Sequence, residues 1–384
     1  MSDDAMKIPC QRHLFEIPDD VTYLNCAYMS PLMREVRDAG IEGLERKARP
    51  WTISAEDFFT GSDALRSAFA ELVNARADDV AIIPAASYGV STAARSLPLS
   101  AGHSVLVVED QFPSNIYPWR ERAREVGARV HTIARPADGD WTRAVLGALD
   151  GDVAIAALPQ CHWTDGGLLD LVAISDACRA QGVALSLDVT QSAGAYPIDV
   201  SRIAPDFLTA ATYKWLMGPY SLGLLYVSER WQREGTSLEH NWIHRANAEN
   251  FARLVDYRDD FQPGARRFDV GERSNFALVP AAEAGLRRIL SWGVRNLAET
   301  IGALTDEIAE RSMALGLSAL PRDKRAPHYL ALQTKGKPPA DFLPRLAEQK
   351  VFVSVRGSSI RVTPHVYNDG RDVDRFIGAL EASF

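Results

Sequence analysis

The stretch from Ala184 to Val227, ALSLDVTQSAGAYPIDVSRIAPDFLTAATYKWLMGPYSLGLLYV, constrains this chain more than any other. A short apolar run, Val183 to Leu187, ends in Asp188, and Gln191 follows three residues later. A second run, Phe207 to Ala210, leads through Ala211 and Thr212 to Tyr213-Lys214-Trp215. Gly218-Pro219 then breaks the chain, and Gly223 to Val227 forms a third run. Short apolar runs bounded by turn residues read as buried strands. In open α/β sheets the strand ends line the ligand crevice. Lysine is ordinarily a solvated surface charge. Lys214, however, stands between small residues and Trp215-Leu216-Met217. Burial there lowers the pKa of the amine and makes it nucleophilic. Asp188 alone also reads as a cap at the strand end, and Gln191 as a turn residue. Their spacing, together with the Gly-Pro after the lysine, is more specific than any one of them.

An acid and a lysine placed this way suit pyridoxal phosphate. The amine holds the aldehyde as a Schiff base, and the carboxylate keeps the pyridine nitrogen protonated. DVTQSAG and PDFLTAATYKWLMGPYSLGLLYV resemble the class V aminotransferase group of fold-type-I pyridoxal-phosphate enzymes. That group includes cysteine desulfurases and isopenicillin N epimerase-like proteins. The resemblance runs from YLNCAYMSPL near the start to SIRVTPHVYNDGRDVDRF near the end. It departs at Tyr213, where the group usually has His, Gln or Arg. It implies an α/β fold, with a large domain built on a mostly parallel seven-stranded sheet between helices. A smaller α+β C-terminal domain completes it. The expected divisions are an N-terminal segment, 1–20, packing near the small domain; the large domain, 21–279; and the small domain, 280–384.

The order of elements agrees with this. Strand-like runs at 80–83, 105–108, 130–133, 153–158 and 183–188 alternate with helical patterns at 87–96, 115–126, 141–149 and 170–180. Such alternation implies a mostly parallel sheet with helices on both faces. After Val227 the pattern changes, with helices expected at 280–292, 297–313, 339–349 and 373–380 and strands at 329–333, 351–355 and 359–362.

Composition narrows the function classes. The net charge is −8 without a Lys/Arg-dense run, which argues against a nucleic-acid partner. No apolar run reaches the ~18 residues of a membrane span. MSDDAMKIPCQRH lacks the basic and apolar regions of a signal peptide, so a cytoplasmic location is expected. Cys10, Cys26, Cys161 and Cys178 have no CxxC spacing, which favours free thiols over disulfides or a metal site. No GxGxxG follows an early strand, so a nicotinamide dehydrogenase is a poor reading.

The resemblance assigns further residues. Ser87 and Tyr88, after the run VAIIPAA, stand at the expected phosphate segment, where a helix N-terminus offers N–H groups and a positive dipole end. Ser87 reads equally as an ordinary N-cap. Phe112 stands where the cofactor ring has its stacking partner, although a Phe is more commonly core. His162, in CHWTDGG, is placed near the ring or is a structural histidine. Thr212 and Tyr213 join Lys214, Asp188 and Gln191 in the expected cofactor-binding set. Arg361 is the expected carboxylate-binding arginine, suited to two parallel hydrogen bonds, or else an edge-strand charge. Asn25 is a second substrate contact, with Tyr28 a weaker one. Gly271 and Asn275 mark a segment that crosses to a partner subunit in the family, and a homodimer is expected.

The implied activity is on an amino acid, possibly with an oxo-acid partner, with Lys214 as general base at the α carbon and Asp188 stabilising the charge. An aminotransferase is the first reading, with a C–S or β-lyase and an epimerase as alternatives. A binding protein that merely retains the fold is disfavoured, because lysine and acid both remain. A desulfurase working through its own persulfide is not expected. SVRGSSIRV has Ser358 and Ser359 where such enzymes carry the cysteine, and Cys178 is the last in the chain.

Overall fold

The computed structural model describes residues 6–383. β1 (Thr22–Tyr23) is followed by β2 (Val80–Ile83), β3 (Ser104–Val108), β4 (Arg129–Ile133), β5 (Val153–Pro159), β6 (Ala184–Asp188), β7 (Phe207–Ala211) and β8 (Gly223–Val227). The last seven form one sheet in the order β2-β8-β7-β6-β5-β3-β4. Pairing is parallel from β7 through β6, β5 and β3 to β4. Only β8 runs antiparallel to its neighbours. This is the seven-stranded sheet that the resemblance implies, mostly parallel as the alternating pattern indicates.

The two-residue period of a strand divides its side chains between opposite faces. On one face Leu106, Val108, Ala156, Leu158, Leu185 and Leu187 meet helix residues such as Trp141 and Ile174. On the other, Val105, Val107, Ile155 and Ala157 meet Val90 and Trp119. Coverage of both faces explains why the central strands read as continuous apolar runs. At the edge, β4 alone leaves Arg129 and Thr132 exposed.

The chain passes from β3 outward to β4, and from β5 in the opposite direction to β6 and β7. The boundary between β3 and β5 is therefore the point where strand order reverses, and a crevice opens beyond the carboxyl ends there. The helix Ala86–Ser96 starts at the same edge, because β2 points the same way as β7. Gly89 permits its close approach to the sheet, since a Cβ there would lie 2.6 Å from Thr209 Oγ1.

The helices Leu278–Trp292 and Val294–Met313 lead into β9 (Leu330–Gln333), β10 (Val351–Phe352), β11 (Ser354–Arg356) and β12 (Ser359–Val362). An antiparallel sheet has the order β11-β12-β9. The single strand expected over 351–355 is two strands with different partners. β10 pairs with β1 and β11 with β12, and no turn residue in VFVSV announces the change. Through this pairing residues 22–24, beyond the expected 1–20 segment, join the C-terminal part. Leu24 N donates to Phe352 O, and Thr363 N donates to Leu24 O. Leu24 shares an apolar cluster with Ile308, Leu330 and Phe376. Residues 1–5 of the expected N-terminal segment lie outside the described residues.

Candidate active site

At the sheet's carboxyl edge lies a cavity of ≈ 240 Å³. Segments after five strands contribute to its wall. After β2 come Pro84 to Ser87, after β3 Gln111 and Phe112, and after β5 Cys161 and Trp163. The end of β6 supplies Asp188, Thr190 and Gln191, and the chain beyond β7 supplies Tyr213 and Lys214.

Lys214 is held by a tight turn. Met217 N donates to Lys214 O at 3.1 Å and Gly218 N to Thr212 O at 2.9 Å, with Met217 in the left-handed region at φ 54°. The Thr212 hydroxyl can donate to Pro219 O (2.7 Å) or Leu222 O (3.0 Å). The side chain of Thr212 is thus spent on the turn, and it does not line the cavity. The expected cofactor contact from Thr212 is replaced by a positioning role, since a buried hydroxyl goes to the nearest acceptor.

The amine itself is 6% exposed as a residue and stands 5.3 Å from the Phe112 ring centroid and 5.4 Å from that of Tyr213. Burial depresses its pKa from 10.5 to about 8, with Asp188 opposing the shift and Arg361 adding to it. The stability consequence has a definite sign. Between about 8 and 10.5 the unfolded chain binds a proton at this lysine that the folded protein does not, so stability gains as pH rises through that window. Urea midpoints of the cofactor-free protein should rise from pH 8 to 10.5 relative to those of Lys214→Met. Parallel curves for the two proteins would refute the shift.

Asp188 is buried, and Thr190 N donates to its Oδ1 at 3.0 Å. In the cofactor-free site burial raises the Asp188 pKa, and Thr190 and Lys214 only partly offset this. Lys214 acts on it through space, without a salt bridge between the two among the described residues. A cation in direct contact would be needed to pull the acid down.

Gln191 lines the cavity with both ends of its amide engaged. Nε2 donates to Ala27 O at 3.1 Å, and Oε1 accepts from Trp215 Nε1 at 2.9 Å. It therefore ties the N-terminal segment to the residue after Lys214. Behind it, His328 Nε2 lies 2.6 Å from Gln191 O, and the His328 ring meets Trp215 edge-on at 4.5 Å.

At the other end, the helix Ala86–Ser96 begins without a side-chain cap, because its N-cap is Ala85. The first N–H groups of a helix have no intrahelical acceptor. Ala86 and Ser87 line the cavity, so this open end faces it. Tyr88 departs from expectation: its N–H donates to Ala85 O at 3.0 Å, and its side chain packs into the apolar layer beside Ile83 and Val90. His162 matches the second of its two readings, the structural one. It is 0% exposed, stacks on Trp141 at 4.9 Å, and its ring nitrogens meet Glu109 O (2.9 Å) and Thr164 Oγ1 (3.0 Å). Burial lowers its pKa to about 4. It is a satisfied core histidine outside the cavity wall.

Arg361 is 2% exposed, and its Nε donates to Ser354 Oγ (2.8 Å) and its Nη1 to Trp163 O (3.1 Å). No carboxylate among the described residues pairs with it. Asn25 is buried beside Thr363, and its Oδ1 has no partner among the described residues. Tyr28 is 55% exposed. Asn275 Oδ1 accepts from Ala277 N and Leu278 N and so starts the helix Leu278–Trp292, while Gly271 N donates to Glu239.

Gln111 and Trp163 are among the wall residues that escaped the sequence reading. Gln111 Nε2 is buried without a partner among the described residues. Trp163 meets Phe112 edge-on at 5.3 Å and donates its indole N–H to Asp110 O. Both lie beside residues that were singled out, yet only their side-chain directions mark them.

The family profile Aminotransferase class-V matches residues 48–383. The chain belongs to the class-V aminotransferase family. An uncharacterized aminotransferase of Bacillus subtilis, YcbU, is 25% identical over 93% of this chain and 91% of that protein. Kynureninase of Deinococcus radiodurans is 31% identical over 77% of this chain and 72% of that protein. Among solved structures, a C-DES mutant with glycine covalently linked to its pyridoxal-phosphate cofactor superposes with a TM-score of 0.84. It covers 97% of this chain and 100% of that one at 20% identity, a likeness of fold. The chain thus has the fold-type-I architecture of pyridoxal-phosphate enzymes, and pyridoxal 5'-phosphate is its cofactor. The wall fits that group: an open helix end for a phosphate, a flat Phe112 face, a buried acid and a buried lysine.

Proposed function

We propose that this protein transforms an amino acid by removing its α proton and that the outcome is amino transfer. One observation carries the reading: the Lys214 amine, the Asp188 carboxylate and the uncapped helix end at Ala86-Ser87 converge on one cavity. Ser87 and the helix end would hold the phosphate, Phe112 would cover the ring, and Asp188 would meet its nitrogen. Lys214 would hold the cofactor covalently. When bound, pyridoxal phosphate withdraws electrons from the substrate's α carbon.

The chain's own residues supply the rest. Once released from its bond to the cofactor, the Lys214 amine, its pKa lowered by burial to about 8, would take the α proton. Phe112 and Trp163 keep water from one side while donating no proton of their own to the reaction. Arg361 would orient the substrate carboxylate. Arg361→Lys should raise KM about tenfold or more, because lysine keeps the charge but loses the planar fork. Cofactor titration should stay unchanged. A variant that loses cofactor first would move Arg361 to another role.

The family and the Bacillus relative favour amino transfer. A lyase is the second reading, favoured by the 31% identity to a kynureninase. Turnover of amino acids with and without an added oxo acid separates them. Transfer requires the oxo acid, and elimination does not. We further propose a cytoplasmic homodimer, the commonest closed assembly, which light scattering on the purified protein would test. No helix among the described residues is long and apolar enough to cross a membrane.

A persulfide mechanism is not proposed. Cys161 is the cysteine in the cavity wall, but it is 1% exposed and burial pushes its thiol pKa far up. The nucleophile such chemistry needs is an accessible thiolate. Incubation with cysteine should leave the intact mass unchanged after desalting. A stoichiometric gain of one sulfur, lost with activity in Cys161→Ser, would overturn this.

A further inference from the structure

The hairpin β11–β12 places Ser354 opposite Arg361 and Arg356 opposite Ser359. Cross-strand partners share a face, and so do alternate residues of one strand. Arg356 and Arg361 therefore lie on the same face. Both reach the indole of Trp163, each with its guanidinium carbon 5.7 Å from the ring centroid. Trp163 is itself part of the cavity wall.

Two like charges are thus held together beside a buried cavity. Arg361 donates Nε to Ser354 Oγ and Nη1 to Trp163 O and lies beside the Tyr329 phenol, and Arg356 donates only to its neighbour's carbonyl, Val355 O, at 2.7 Å. Among the described residues neither has a carboxylate partner. The other groups that act on Arg356 are the phenols of Tyr329 and Tyr28. Surface arginines in this chain are otherwise commonly paired, as Arg95 is with Glu125 and Arg288 with Glu35. Stacking on Trp163 offsets part of the cost of two unpaired cations, but it neutralises nothing. Among the described residues nothing supplies the counter-charge, which leaves it for a ligand to bring. One carboxylate satisfies one fork, which leaves the second arginine for a second anionic group.

We propose that Arg356 is a specificity residue and that the cleft takes a dicarboxylic substrate, whose α-carboxylate meets Arg361 and whose distal carboxylate meets Arg356. This rests on the amino-acid reading above. The shared chemistry has two sources, an acidic amino donor or a dicarboxylic oxo-acid acceptor.

The experiment uses the holoenzyme and two inert probes of equal length, glutarate and pentanoate, with binding measured by calorimetry. Glutarate should bind about 10- to 100-fold more tightly, the range for one charged hydrogen-bonded contact. Arg356→Gln should remove that preference and leave pentanoate unchanged. Arg356→Lys, which keeps the charge but loses the fork, should retain a reduced part of it and controls for a folding defect. Equal binding of the two probes, or equal weakening of both in Arg356→Gln, would overturn the proposal and mark Arg356 as a support for Trp163. Half-reactions followed by the cofactor's visible spectrum then distinguish the sources: glutamate against glutamine for the donor, α-ketoglutarate against pyruvate for the acceptor. If amino acids alter the spectrum but show no preference for a second carboxylate, the dicarboxylate inference fails alone. If no amino acid alters the spectrum while glutarate still binds preferentially, the amino-acid reading fails and the paired arginines remain an anion site.

Discussion

Lys214→Ala should abolish turnover and the visible absorbance of covalently held cofactor while leaving the fold intact. A positioned general base alone contributes about 10²–10⁴-fold, and loss of the covalent attachment adds to that. The fold should survive because the turn around Lys214 rests on other groups. Thr212 Oγ1 engages Pro219 O and Leu222 O, and Gly218 N donates to Thr212 O, none of which needs the lysine side chain. Removing a buried amine whose charge is disfavoured also relieves a desolvation cost. The checks are steady-state rates, the absorbance spectrum, and circular dichroism melting. Normal turnover without added amine would remove Lys214 from the mechanism.

Asp188→Ala should lower the rate by about 10²–10³-fold, the scale for losing one preorganised electrostatic partner of a developing charge. Gln191→Ala should cost far less, under about tenfold. Its amide makes two neutral hydrogen bonds, to Ala27 O and from Trp215 Nε1, each worth about 0.5–1.5 kcal/mol. The loss there should appear mainly as a lower melting temperature, because those bonds join the N-terminal segment to the lysine turn. Equal rate losses for Asp188→Ala and Gln191→Ala would count against separate roles for acid and amide.

Some of this was legible in the chain because the signal is local. A parallel sheet covered on both faces must be built of continuous apolar runs, so β2, β3, β5, β6, β7 and β8 could be located within a residue or so from composition alone. Asp188 and Lys214 could be singled out because a charge at the end of such a run is conspicuous. The cavity wall includes both. The division of 351–355 into two strands was not legible, since it depends on β1 arriving from more than three hundred residues away in sequence.

By itself the sequence determined the strand–helix alternation, the kinds of reactive group and the absence of a late cysteine. These follow from residue type and from periods of two and 3.6 residues. Tertiary structure decided the direction and partner of each polar side chain. Thr212 turned to its own loop, His162 to Trp141 and Glu109 O, and Tyr88 to the apolar layer, although each adjoins a residue of the cavity wall. The Thr212 hydroxyl and the His162 ring take the nearest partners of good geometry, whereas the Tyr88 hydroxyl and Gln111 Nε2 are buried without one among the described residues, and none of this is set by the residues adjoining in sequence. For the same reason Gln111, Trp163 and the pairing of Arg356 with Arg361 across one indole emerged only when the strand ends and the β11–β12 hairpin were brought to a single crevice.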